Sequence, residues 1–391
     1  MKKKLIAIAV AGALGAPAVA LAQSTVQIYG KITYEYAWTD EGAGRQKTDA
    51  PDSPGGTAIG FKGEEKLGGG LSAWFQCETS ADVRGADQIG LCSRNSAIGA
   101  KGGFGNVYFG RWDTPMKRAL NVGTVGAQET GALGASFLAF GGSGGADATG
   151  ATVNALSPDA QGRARWKRRE TAMSSYDSPM FGGFQVLAGI SSGAGAISTT
   201  TAAPAANNTK PRVYSIAGVY TAGNLGIGLG YEAHNDFGTP GAALSLDDSA
   251  WGLTGSYKFG NVKVGATYLD AQYETGATGA ETKKRTYTLG VDWAISGPHG
   301  LEAQWGHADD TKGSGSGIQT TSRQGFAAPG ADTGGDQYSI AYRHSLSKRT
   351  EARLIYTKIQ NDNRAFYALG NTTPNTGQDM SAFGFHLSHR F

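Results

Sequence analysis

The sequence predicts an all-β protein, a sixteen-stranded antiparallel β-barrel that crosses a membrane. Three observations support this fold class. Apolar and polar residues alternate along many short segments, the connections between segments are alternately short and long, and no stretch after residue 22 approaches about 18 consecutive apolar residues. The alternation predicts strands, the connections predict an up-and-down order, and the missing apolar stretch excludes a membrane-spanning helix.

The chain begins with a pattern typical of a secretory signal. Three lysines and an apolar run are followed by Ala20 and Ala22, small residues that suit cleavage before Gln23. We therefore predict residues 1–22 as a signal peptide and residues 23–391 as the barrel domain. An uncleaved membrane anchor is the alternative, although glycine and proline interrupt the run. Loss of the three lysines lowers the formal net charge from +3 to zero, so nothing suggests a nucleic-acid partner.

The strand pattern is clearest in VQIYGKITYEYAW, residues 26–38, and it recurs as far as residues 383–391. One face of each segment carries Val, Ile, Leu and aromatic side chains, with Tyr, Trp and Phe often near the strand ends. The other face is polar, and its charged or amide residues include Lys31, Glu35, Lys62, Glu64, Gln76, Glu78, Lys101, Lys263, Asp292 and Arg343. In an outer-membrane barrel the apolar face meets lipid and the polar face meets water, which is the arrangement we predict here.

The connections give the strand count. Seven short turns, rich in Gly, Pro and Asn, alternate strictly with eight long segments: the turns fall at 67–71, 102–106, 178–184, 221–225, 259–262, 296–301 and 344–350. Seven hairpins and the two terminal strands make sixteen strands, with short periplasmic turns at one end and long extracellular loops at the other. Backbone groups in lipid must all be paired, so the sheet has to close, and at this size its lumen holds water.

Two cysteines, Cys77 and Cys92, are the only ones in the chain. In an exported protein such a pair predicts a disulfide bond, and two free thiols are the alternative. With two cysteines and six scattered histidines, the sequence predicts neither a metal site nor a cofactor.

Several segments resemble the general porins of β-proteobacteria and the neisserial porins. They are STVQIYGKI (24–32), AIGFKGEEKLGGGLSAWFQCE (58–78), SRNSAIGAKGGFGNVYFGRWDTP (93–115), SYDSPMFGGFQV (175–186) and FGFHLSHRF (383–391). The resemblance runs over the whole mature chain and implies a homotrimer of barrels in the outer membrane of a Gram-negative bacterium. It implies that the third long loop folds into the pore, and that Phe391 is the signal read by the barrel-assembly machinery. Membrane lipid and lipopolysaccharide are the expected surroundings.

The third loop is expected at residues 113–162, the longest segment without a strand pattern. It follows GRWDTP and is rich in Gly and Ala, small residues that suit packing against a wall without closing the channel. We predict that it forms the constriction. A surface loop is the alternative.

The run RARWKRRE predicts a positively charged stripe in the lumen. If the following strand extends upward without a break, Arg163, Arg165, Lys167 and Arg169 share the lumen face, while Arg168 breaks the parity. Such a stripe concentrates anions. A solvated loop edge is the alternative. Other predicted pore-lining residues are Arg111, Asp113, Lys117, Arg118, Glu129, Lys31 and Glu35. Ala58 and Ser175 stand where the family often carries a charge, which leaves the strength of selectivity open.

These observations predict a passive diffusion channel for small hydrophilic solutes and ions, with a weak preference for anions. A channel specific for phosphate or carboxylate is the alternative, because one inward stripe of cations would serve it too. An adhesin or an outer-membrane enzyme is a weaker hypothesis. An enzyme needs a nucleophile and a base, and none of the six histidines lies in a G-x-S-x-G or H-E-x-x-H context.

Overall fold

A computed structural model describes residues 25–42, 47–52, 57–81, 83, 90–126, 166–192, 212–236, 246–275, 279–316, 327–369 and 376–391. The predicted signal peptide, residues 1–22, lies outside the described residues and stays a prediction. Within the described ranges, no helix is both long enough and apolar enough to cross a membrane.

The described residues contain eighteen strand segments and two short helices. The strands are β1 (Thr25–Asp40), β2 (Lys47–Asp52), β3 (Ala58–Gly68), β4 (Leu71–Ser80), β5 (Ser96–Gly102), β6 (Gly105–Asp113), β7 (Arg169–Asp177), β8 (Phe184–Ser192), β9 (Arg212–Ala222), β10 (Leu225–Asn235), β11 (Asp248–Phe259), β12 (Val262–Glu274), β13 (Glu281–Ser296), β14 (His299–Ala308), β15 (Lys312–Gly313), β16 (Gly335–Ser345), β17 (Thr350–Asn361) and β18 (Met380–Arg390). The helices are α1 (Pro115–Leu120) and a 3₁₀ turn (Asn121–Gly123).

The strands form one closed antiparallel sheet. Apart from the short segments β2 and β15, each strand pairs with its neighbours along the chain, and β1 closes the ring by pairing with β18. Both β2 and β3 pair with β1, and both β14 and β15 pair with β13, so each of these two couples is one interrupted strand of the wall. The described residues therefore form a sixteen-stranded barrel, as predicted.

The burial pattern confirms which face points outward. On β1, Tyr34 and Trp38 are 38% and 48% exposed, whereas Thr33 and Glu35, on the opposite face, are fully buried. The same inversion continues around the ring, where the exposed row is apolar and the row packed inside is polar or small. A water-soluble sheet would bury its apolar row, so this barrel offers an apolar outer surface to lipid.

The short turns join the strands where the sequence predicts them. All seven turns connect neighbouring strands at one end of the barrel, from the β3–β4 turn to the β16–β17 turn. Gly223 and Gly260 have φ values of 55° and 57°, which a side-chain-bearing residue adopts only with strain. These glycines allow tight reversals that leave this end of the barrel open.

The packed core lies inside the barrel, against its wall. One cluster joins Met116 and Leu120 of α1 to Leu269 and Tyr273 of β12. A second cluster forms where residues 365–369, after β17, fold back onto the inner face of the wall; its members are Ala37, Ala308, Ala341, Ile355, Ile359, Ala365, Tyr367, Ala368, Leu369, Met380 and Ala382. Two chain segments thus narrow the lumen, and the sequence predicted only the first.

Candidate pore constriction

The third loop enters the lumen through a short capped helix. Thr114 is the N-cap of α1, and its hydroxyl accepts a hydrogen bond from the Lys117 amide at 3.3 Å. Pro115 occupies the first turn, where its missing amide proton costs nothing. Met116, Ala119 and Leu120 are fully buried and form the face that packs on the wall.

Glycines on the inner face of the wall make room for this segment. A Cβ atom at Gly228 of β10 would lie 2.5 Å from the Ala119 carbonyl oxygen, and one at Gly265 of β12 would lie 2.2 Å from the Gly123 oxygen. Side chains at these positions would therefore displace the loop. Three more glycines of this face are approached in the same way: Gly226, Gly230 and Gly252. We call the inner face of β10–β12 under residues 115–126 the helix-covered wall.

Polar groups hold the segment at both ends and in the middle. The Met116 amide donates to the Ser215 hydroxyl on β9 at 3.0 Å, and the Ser256 hydroxyl on β11 donates to the Val122 carbonyl at 2.8 Å. The Gln304 side chain on β14 donates to the Val125 carbonyl at 2.7 Å. Residues 115–126 therefore cross the inner face from β9 to β14. Residues 127–162, the rest of the predicted third loop, lie outside the described ranges, so a constriction formed by the whole loop stays a prediction.

The strand that was expected to carry the cation stripe is interrupted by a β-bulge. A bulge interrupts the pairing of β6 with β7 between Gly110 and Trp112, and Ala172 adopts a φ of 49°. The strand begins only at Arg169. The described strand is therefore broken at this bulge rather than continuous, and the part of the stripe at residues 163–165 stays a prediction.

The residues just before β7 are buried against the wall. Arg168, which was expected to break the parity, is buried and paired with Glu170. Its guanidinium also lies 3.3 Å from His234 of β10, whose ring stacks on Trp166. Lys167 is buried as well, and its ammonium group donates to Thr124 at 2.9 Å. Residues 166–168 are thus held against the wall, and Lys167 also contacts the segment after α1 through Thr124. Arg163 and Arg165 lie outside the described residues.

Four other basic side chains gather near the root of the loop, around residues 93–95. The Arg169 guanidinium lies 3.0 Å from Asp113, and Lys117 approaches the same carboxylate at 3.0 Å. Arg94 pairs with Glu78 at 2.6 Å. Arg111 donates to the Ser93 carbonyl at 2.7 Å.

We call these six side chains the basic cluster: Arg94, Arg111, Lys117, Arg169, Glu78 and Asp113. Three of the four cations contact the two carboxylates and Arg111 binds a carbonyl, so the cluster carries two positive charges in excess. The paired members keep 13–16% of their side-chain surface exposed, so the cluster is partly accessible.

Arg118 fixes α1 to β7 rather than joining the basic cluster. Its guanidinium binds both carboxylate oxygens of Asp177, at 2.6 and 2.9 Å, and also donates to the Tyr108 hydroxyl at 2.7 Å. Burial alone would lower the pKa of Arg118, but the hydrogen bonds to Asp177 raise it above its ordinary value. Arg118 therefore stays charged, and its geometry is that of an anchor.

A second charged region, on β13–β17, is linked by ion pairs. Glu302, which is buried, accepts from Arg343 at 2.9 Å and from Arg353 at 3.2 Å. Asp292 also binds Arg343, and Glu351 also binds Arg353. We call these five residues the ion ladder. On the adjacent strands Glu35, predicted to line the pore, is buried 3.3 Å from His386.

The remaining predicted residues have mixed outcomes. Cys77 and Cys92 form the predicted disulfide bond. Lys31 lies on the inward-facing row of β1, and Glu129 lies outside the described residues. The backbone of Phe391 exchanges two hydrogen bonds with Gly30, at 3.2 and 3.1 Å, so the last residue completes the closure of the barrel.

Sequence reasoning missed Arg353, Asp177 and the inward segment after β17 as functional elements. The parity of the strands places Arg353 on the inner face, so that residue could have been found. The inward segment has no such signal, because its sequence reads like the other loops.

Comparison with known proteins agrees with this architecture. A sequence profile of the Gram-negative porin family matches residues 7–364. The chain is 28% identical to the major outer membrane protein P.IB of Neisseria sicca over 78% of this chain and 84% of that protein. It is 27% identical to outer membrane porin protein 32 of Delftia acidovorans, over 90% and 87% of the two chains. Among solved structures, an anion-selective porin from Comamonas acidovorans superposes with a TM-score of 0.71 at 22% identity, covering 94% of this chain and 100% of that one.

Proposed function

The chain belongs to the Gram-negative porin family and is an outer-membrane diffusion channel, and we propose that this channel prefers anions to cations. The observation that carries the preference is the excess of positive charge in the basic cluster. The cluster lies at the root of the loop that enters the lumen. In a confined space with low-dielectric walls, such an excess raises the local concentration of anions and lowers that of cations.

The other charged region of the inner wall carries a smaller excess charge than the basic cluster. The ion ladder contains two arginines and three carboxylates, so it carries one negative charge in excess, against the two positive charges of the basic cluster. The basic cluster therefore contributes more to the sign of selectivity than the ladder does. Passage is passive, and we propose that it requires no catalytic residue of this chain.

The zero-current potential of the channel in a KCl gradient tests the preference. The double variant Arg111→Glu with Arg169→Glu turns the cluster from positive to negative, and we expect its reversal potential to change sign toward cations. A matched control makes the same charge change outside the lumen, by Arg212→Glu with Arg285→Glu on the outward faces of β9 and β13. A wild-type channel that prefers cations, or equal shifts in the two double variants, would contradict the proposal.

We also propose that three copies assemble as a homotrimer surrounded by lipid and lipopolysaccharide. The C-terminal strand, which ends on Phe391, is proposed as the part read by the barrel-assembly machinery. The closing hydrogen bonds between Phe391 and Gly30 support a late role for this strand in completing the wall. Deletion of Phe391 should lower the amount of folded protein in the outer membrane, measured by heat-modifiable migration of the folded barrel.

A further inference from the structure

The geometry points to a binding site for a divalent transition metal on the outer surface of the barrel, at the end of the short turns, with His299 and His344 as its ligands. Neither residue belongs to the pore described above. His299 is the first residue of β14, and His344 is the last but one of β16.

The two histidines stand directly opposite each other on neighbouring strands. The Ser345 amide donates to the Pro298 carbonyl at 2.8 Å, so residues 298 and 345 form a hydrogen-bonded pair. His299 and His344 are therefore the adjacent, non-hydrogen-bonded pair, in which side chains approach most closely. Their ring centroids lie 5.1 Å apart, a separation that small rotations about the side-chain torsions convert into chelation of one ion.

A tyrosine hydroxyl organises both rings. The Tyr342 oxygen lies 2.6 Å from Nδ1 of His299 and 3.3 Å from Nδ1 of His344. A phenolic oxygen can accept a hydrogen bond from both rings, which leaves the two Nε2 lone pairs available to a metal. Hydrogen bonds of this kind orient metal-binding histidines and raise their affinity. Tyr342 is therefore a positioning residue in this proposal.

The surroundings select the class of metal. Two neutral imidazoles favour Cu²⁺, Ni²⁺ or Zn²⁺ over hard cations such as Ca²⁺, and Cu²⁺ binds most tightly in this series. Lys348, Arg349 and Glu351 line the same edge as Pro298 and Ser345, so a single carboxylate lies there, whereas a hard cation such as Ca²⁺ needs several oxygen ligands. The pair faces outward at a strand end next to a turn, so an ion can reach it from the aqueous side.

Titration of the folded, full mature chain in detergent with Cu²⁺, followed by electron paramagnetic resonance, tests the site. We expect one ion per chain with hyperfine structure from two nitrogens, and a loss of affinity of at least tenfold in His299→Ala and in His344→Ala. His307→Ala and His389→Ala are matched controls that remove histidines elsewhere on the barrel, and they should leave this signal unchanged. Tyr342→Phe should weaken binding several-fold while keeping two nitrogens.

Conductance and heat-modifiable migration check that each variant is folded. The proposal is overturned if the double variant His299→Ala with His344→Ala binds Cu²⁺ with the wild-type affinity and stoichiometry. Unchanged affinity in Tyr342→Phe would overturn the positioning role.

Discussion

The helix-covered wall and the ion ladder lie on the same inner face of the barrel but are built from different residues. Under α1 the wall consists of glycines and hydroxyl groups, which let a chain segment lie flat and give it hydrogen-bond partners. On β13–β17 the wall carries long charged side chains that satisfy one another. The difference shows that the residue type at an inward-facing position depends on what lies over it. Positions under the backbone of the loop are glycines, and positions that face the open lumen carry paired charged side chains.

The largest effect should come from the centre of the ion ladder. In Glu302→Gln the carboxylate shared by Arg343 and Arg353 is lost, while each arginine keeps one other acidic partner. Removal of one partner from a buried ion pair costs about 3–5 kcal/mol, and we expect the low end of that range. Denaturant unfolding in detergent micelles measures the change.

The control for the ladder is an ion pair on the outside of the barrel. Asp270→Asn breaks the Arg285–Asp270 pair, in which the arginine side chain is 49% exposed. Exposed pairs contribute at most about 1 kcal/mol, so this variant should unfold nearly as the wild type does. An equal loss of unfolding free energy in Glu302→Gln and Asp270→Asn would show that the ion ladder is not a buried network.

A leucine in the helix-covered wall should have the next largest effect. Gly228→Leu places a side chain where the Ala119 carbonyl lies, and overpacking of this kind costs about 1–3 kcal/mol. We expect α1 to move off the wall and the single-channel current to become unsteady. Gly255→Leu on β11 is the matched control, because a Cβ atom there meets only one backbone oxygen, at 3.7 Å. A steady single-channel current in both variants would mean that the position of α1 does not depend on these glycines.

The smallest effect concerns the inward segment after β17 and its dependence on pH. Desolvation and the nearby carboxylates of Asp310, Asp332 and Asp336 raise the pKa of Asp362 above its ordinary value of 3.8. A raised carboxyl pKa destabilises the folded state once the pH exceeds the ordinary value, and this loss is complete above the raised pKa. The segment should therefore be held more firmly at pH 3 than at pH 7.

Asp362→Asn should remove most of that difference between the two pH values. Hydrogen exchange of the Tyr367 amide, which donates to Asn361 at 2.8 Å, measures how firmly the segment is held. Equal protection of wild-type Tyr367 at both pH values would contradict this prediction.

The sequence was sufficient for the barrel and insufficient for the details of the constriction. Alternation such as Ile227, Leu229 and Tyr231 against Gly226, Gly228 and Gly230 marks both the strand and its outward face. The bulge at Ala172 leaves no comparable mark, because a single extra residue changes the facing without changing composition. The stripe predicted from Arg163 to Arg169 assumed an unbroken strand, which the bulge interrupts; since Arg163 and Arg165 lie outside the described residues, the stripe itself stays a prediction.

The packing of the loops was the other feature that could not be predicted from the sequence. Nothing in the sequence of residues 362–369 distinguishes a segment that folds inward from an exposed loop, since its contacts are with residues distant along the chain. Likewise, Arg118 and Arg353 find partners on other strands, Asp177 on β7 and Glu302 on β14. Their positions on the inner face could be predicted, but their ion pairs could not.

Accessibility of two neighbouring cysteines in a lipid bilayer tests the inside-out arrangement most directly. Asp292 faces the lumen and Val291 faces outward. A charged, membrane-impermeant thiol reagent should react with Asp292→Cys and reduce its channel current, while Val291→Cys should react only with a lipid-soluble reagent. Rapid reaction of Val291→Cys with the charged reagent, together with protection of Asp292→Cys, would contradict the account.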